Sequence, residues 1–158
     1  MTTDEYLLRL ERNLMTGSAR WVADFTESFR DYRSGGASFD LMARGGMRTK
    51  GLLLSRVFSY LSLPNYQAAC LAYTREVNER RLRSLLRAVS RFMREENIDW
   101  AWLVLVRTGP FAATVEKAVG GISLREIGVA LVDVEARRVV TSPNYVGKRM
   151  ADHVRCFR

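Results

Sequence analysis

Histidine occurs once in these 158 residues, cysteine twice, and lysine and proline three times each. Each scarcity closes a route. His153 with the distant Cys70 and Cys156 supplies neither a zinc ligand set nor a CxxC motif, and both cysteines read as reduced thiols. A Ser-His-Asp or Cys-His catalytic site would have to be built on His153, close to the chain end. The glycine pairs beginning at Gly35, Gly45 and Gly120 fit neither GxGxxG nor GxxxxGK[ST], so no nucleotide-phosphate loop is evident and no cofactor is expected. No apolar run reaches the roughly 18 to 20 residues that cross a bilayer; residues 100–106 and 127–132 are strand-sized. The opening residues MTTDEYLLRL hold two acids where a signal peptide would carry cations, which leads us to expect a cytoplasmic protein without a membrane partner.

What the chain does have is arginine. There are 25 lysines and arginines against 17 acids, a net charge of +8, and removing the three lysines from the 25 leaves 22 arginines. The guanidinium forks onto phosphate and stacks on bases, so this balance suits a nucleic-acid partner; a general preference for arginine codons accounts for the composition equally well. Position has to decide between them.

With 47% hydrophobic residues, the length suits one domain with one well-buried core. Thr2-Thr3-Asp4-Glu5 has capping-box form, and Leu7, Leu10 and Leu14 follow at helical spacing, predicting a helix over residues 3–15. Residues 21–32 show no clean period and are compatible with helix or strand. Ser34-Gly35-Gly36 is a turn. Residues 39–44 and 52–60 flank Gly45-Gly46 and could pair as a hairpin, although Leu52-Leu53-Leu54 could equally begin a helix. Residues 68–74 read as a buried strand. Leu82, Leu85, Leu86, Val89, Phe92 and Met93 mark one face of a helix over 77–95. A strand over 100–107, a helix over 110–119 with Pro110 in its first turn, a strand over 127–134 and a hairpin partner over 138–141 complete the core. The order strand, helix, strand, helix, strand predicts an α/β fold with a mixed, partly parallel central sheet and flanking helices. Residues 1–37 then form an N-terminal helical region, 38–141 the α/β core, and 142–158 a basic C-terminal helix or tail.

Within the 77–95 helix, Arg80, Arg83, Arg87, Arg91 and Arg94 form a single stripe almost opposite the apolar face, with no acid between the first and last. A solvated helix face ordinarily mixes signs, because opposite charges one turn apart stabilise it by roughly 0.2 to 0.5 kcal/mol and like charges destabilise it about as much. The stripe therefore predicts a ridge that binds phosphate backbones, unless acids elsewhere in the fold or on a partner pair it off. The tail SPNYVGKRMADHVRCFR adds Lys148, Arg149 and Arg155 as a candidate extension of the same basic surface. Metal binding would require hard carboxylate ligands, for which Asp40, Asp133 and Glu135 are the candidates.

Residues 39–44 (FDLMAR) and 52–57 (LLLSRV) resemble the strand pair that carries the catalytic Asp and Glu-x-Lys of restriction-endonuclease-like nucleases. Arg125-Glu126-Ile127-Gly128 and its apolar run resemble the strand after the second helix of such domains. The resemblance implies Asp40 as the metal-binding Asp, yet Leu54-Ser55-Arg56 stands where Glu-x-Lys belongs, and leucine cannot hold the metal that activates water. Tyr73-Thr74-Arg75-Glu76 lacks the motif too. The expectation is thus a non-catalytic domain that binds nucleic acid through its phosphates. Alternatives are an assembly subunit with an acidic protein partner and a degenerate or non-standard metal-dependent nuclease using Asp40 and Asp133.

Overall fold

The computed structural model describes residues 1–17, 19, 23–46 and 66–157. Its elements run α1 (Thr3–Thr16), β1 (Asp24–Ser34), β2 (Ala37–Gly46), β3 (Gln67–Tyr73), α2 (Glu79–Glu95), β4 (Trp100–Arg107), α3 (Ala113–Gly120), β5 (Ile127–Asp133), β6 (Arg138–Thr141) and α4 (Tyr145–Met150). The six strands form one mixed sheet in sequence order. β1, β2 and β3 are an antiparallel meander, β3, β4 and β5 are parallel, and β6 returns antiparallel to β5. The two parallel connections pass through α2 and α3, as crossovers between parallel neighbours must. This is the mixed α/β fold that the element order predicts. Among the described residues no helix is long and apolar enough to cross a membrane.

Helices cover both faces of the sheet. α2 and α3 bury Leu82, Leu85, Val89, Phe92, Val115 and Val119 against one face, on Leu71, Leu103, Leu105 and Leu131. On the other face, α1 and α4 bury Tyr6, Leu10, Leu14, Val146 and Met150 against Leu41, Cys70, Val104 and Val132. Double-sided burial is why β3, β4 and β5 read as continuous apolar runs rather than alternating ones.

Several boundaries move. The region before residue 37 is helical only to Thr16, and residues 24–34 are a sheet strand. The signal was obscured because β1 breaks its own alternation: Asp31 takes φ +51° and stands across from Asp40, between the pairs Arg30–Leu41 and Tyr32–Phe39. β2 breaks in register with it, since Phe39 and Met42 face α2 while Leu41 and Ala43 face α1. Pro110 precedes α3 rather than opening it; Ala112 is the N-cap and offers no side-chain cap. The suggested strand or helix at 52–60 lies outside the described residues. Both sides of β2 are occupied, by β1 and β3.

Candidate nucleic-acid interface

α2 begins at Asn78, whose side chain accepts the Arg81 N–H, and runs 17 residues to Glu95. Its apolar stripe is fixed to the sheet by burial, so the opposite face is fixed toward solvent. Arg80, Arg83, Arg87, Arg91 and Arg94 all lie there and all are exposed. Among the described residues only Arg83 has an ion pair, with Glu79 one turn earlier at 3.1 Å. Arg81 lies off the stripe: its Nε donates to the Tyr73 hydroxyl at 2.8 Å, and its guanidinium packs over the Tyr73 ring.

Several acids are held by other arginines, while Glu76 and Glu95 lie exposed near the two ends of the ridge. Glu11 meets Arg30, Glu27 and Glu96 share Arg44, and Glu116 takes Arg138 through two bonds of 2.6 and 3.0 Å. Among the described residues Arg80, Arg87, Arg91 and Arg94 have no ion pair.

The middle of α2 also carries the β1–β2 turn. Gly35 takes φ +61°, and a Cβ there would stand 2.3 Å from the Ala88 carbonyl oxygen, so only glycine lets the hairpin tip close onto the helix. The hairpin brings exposed Arg33 to within two residues of that contact, a basic neighbour of the ridge that the helical spacing could not reveal.

Lys148, Arg149 and Arg155 are exposed, but α4 and the segment after it pack on the face of the sheet opposite α2. The tail cations therefore do not extend the ridge. Arg155 instead lines a cleft of about 890 Å³ with Arg9 and Arg12 of α1. The tail is tied down around it. The Tyr6 hydroxyl donates to the Val154 carbonyl at 2.5 Å, Asn13 Nδ2 donates to the His153 carbonyl at 2.7 Å, and Phe157 packs against the Tyr6 ring. Asn144, the turn residue before α4, accepts the Gly147 N–H and donates to the Leu124 and Ile127 carbonyls.

His153 stacks on Trp102 with ring centroids 5.9 Å apart and planes 8° apart. Burial lowers its pKa, as does Arg149, while Asp152 opposes the shift. The Cys156 thiol donates to the His153 carbonyl at 3.3 Å, and burial pushes its pKa up to about 11, the reverse of what a nucleophilic cysteine needs. Cys70 is fully buried, and its pKa is also raised by burial.

The three candidate metal ligands do not converge. Asp40 Oδ2 accepts the Thr74 N–H at 2.7 Å while its Oδ1 lies 3.8 Å from Arg75, closing the end of the β2–β3 ladder. Asp133 stands three strand spacings away, roughly 14 Å at about 4.8 Å per strand. Its buried Oδ1 accepts the N–H groups of Gly109, Glu135 and Ala136 at 3.0 to 3.1 Å, which makes it a turn anchor rather than a partner of Arg137 or Arg138. Glu135 is exposed on that turn. Among the described residues no three His, Cys, Asp or Glu side chains are grouped to hold a metal. The strand beside Asp40, Gln67–Tyr73, contains no acid and no lysine, and Leu54-Ser55-Arg56 lies outside the described residues.

No protein-family model, curated protein or solved structure matches the chain.

Proposed function

We propose that this chain is a non-catalytic basic domain that binds nucleic acid through the phosphate backbone, using Arg80, Arg83, Arg87, Arg91 and Arg94 of α2. The observation that carries the reading is the state of the ridge: five exposed guanidiniums on one rigid helix face, with one of them in an ion pair among the described residues. At about 1.5 Å per residue the ridge is roughly 21 Å long, which matches about six base-pair steps of duplex at about 3.4 Å each. Contacts of this kind give affinity and register without sequence readout. The tail cations, on the opposite face, form no part of this surface.

A restriction-endonuclease-like ancestry fits the reading. β2 carries Asp40 within an antiparallel meander, and β5, with its Ile127-Gly128 start, follows the second helix of the core. Asp40 and Asp133 are each spent on backbone N–H groups, which favours binding over cleavage.

Titration of labelled duplex and single-stranded DNA and RNA against salt tests the proposal. If all five arginines meet phosphates, log K for duplex DNA should fall against log salt with a slope of roughly −4.5. Absence of binding at low salt, or a slope unchanged by Arg87→Ala with Arg91→Ala, would overturn it and leave an acidic protein as the partner of the ridge.

A further inference from the structure

We infer that the cleft between α1 and the C-terminal segment is a second, separate anion site, built for a phosphate monoester. It goes beyond the ridge and does not depend on it, because α1 and the tail lie on the other face of the sheet.

Arg9 and Arg12 are three residues apart on α1 and so share a face, and Arg155 comes to the same cleft from the far end of the chain. None of the three has an ion pair among the described residues, although Asp152 also lines the cleft. The cleft is fixed rather than incidental. Val154, next to Arg155, is fully buried and its carbonyl accepts the Tyr6 hydroxyl, and Phe157, two residues beyond Arg155, packs on Tyr6. Asn13, between the α1 arginines and Thr16, grips the tail through the His153 carbonyl. Three guanidiniums are thereby held around one opening with little local relief of their mutual repulsion.

Charge selects the ligand. Among the described lining residues, three arginines less the Asp152 carboxylate leave two positive charges, which matches the roughly −1.5 to −2 of a phosphate monoester at pH 7 better than the single charge of a backbone diester. The guanidinium fork also fits a terminal phosphate's three oxygens. Cys156 lines the same cleft with its pKa pushed up to about 11 by burial, so it serves as a slow reporter rather than as a nucleophile of the site. Two sources carry this chemistry: a free phosphorylated small molecule, and the terminal phosphate of a nucleic acid strand.

Cys156 reports occupancy, because the only other cysteine is fully buried. Calorimetry and the rate of Cys156 alkylation by N-ethylmaleimide would be followed with AMP, adenosine, and 5′-phosphorylated and 5′-hydroxyl oligonucleotides, at matched ionic strength. AMP protection of Cys156 by at least about threefold with measurable heat, and none by adenosine, identifies the free ester. Protection by the 5′-phosphorylated but not the 5′-hydroxyl oligonucleotide identifies the strand end. In either case Arg12→Ala with Arg155→Ala should abolish protection, while Arg87→Ala with Arg91→Ala should leave AMP protection unchanged. Arg9→Ala, read alongside far-ultraviolet circular dichroism, checks that loss reflects charge and not unfolding. No heat and no protection by any phosphorylated probe would overturn the inference. So would equal protection by the two oligonucleotides without AMP binding, or full protection of the double variant.

Discussion

The backbone of Gly147 lies so close to Gly128 that a Cβ added to Gly128 would stand 2.7 Å from the Gly147 nitrogen. α4 thus sits directly on β5, with the Met150 sulfur against the same glycine. Gly128→Ala would have to push α4 outward. It should destabilise the fold by about 1 to 3 kcal/mol, in the range of overpacked cores, read as a lower urea midpoint at an unchanged m-value. Because α4 leads into the tail, the variant should also expose Cys156 and speed its alkylation.

Asp133 gives a sharper test of structural against metal roles. Its Oδ1 accepts three N–H groups at the joint between the β4–α3 loop and the β5–β6 turn. Asp133→Ala leaves the Gly109 donor buried without a partner and should cost about 2 kcal/mol or more, with Asp133→Asn recovering part of it. The loss should be the same in magnesium and in chelator, measured by thermal melts. A magnesium-dependent difference in the parent that vanishes in the variant would instead place a metal at this carboxylate.

Exposed guanidiniums on the ridge touch neither the core nor each other's partners, so their removal separates binding from folding. Arg87→Ala with Arg91→Ala should shallow the duplex salt slope by about 1.8 and leave stability within about 0.5 kcal/mol of the parent. Arg138→Ala, which breaks the two-bond pair with Glu116, should do the reverse and leave the slope alone.

What was legible in the sequence follows from period. β4 and α2 have long, regular patterns, and the observed strand Trp100–Arg107 coincides with the expected one. The ridge was legible for the same reason, because a helical stripe of arginines needs only the helix to be real. Whether acids elsewhere reach it was not legible, since Glu96 goes to Arg44 across 52 residues and Glu116 goes to Arg138 across 22. β1 was hidden by the paired irregularity at Asp31 and Asp40, which flips the side-chain alternation of both strands at once. The cleft was hidden by distance: Asn13 and His153 lie 140 residues apart, and nothing local in either segment announces the other. The i, i+3 pair Arg9 and Arg12 was the one signal available in advance.

His153 should leave a signature in the pH dependence of stability. Burial against Trp102 holds its folded pKa below the unfolded value of about 6.5. Between those two values the unfolded chain binds more protons than the folded one, so stability rises with pH there. The contribution is fully present above about pH 6.5 and is lost as pH falls toward the folded pKa. Melting temperatures between pH 7.5 and 5 should therefore drop more steeply for the parent than for His153→Gln, whose side chain does not titrate. The variant also loses the stacked ring, so its melting temperature at pH 7.5 should be lower. Parallel pH profiles for the two proteins would show that the ring takes up its proton equally well in both states and that the stack on Trp102 does not depend on its being neutral.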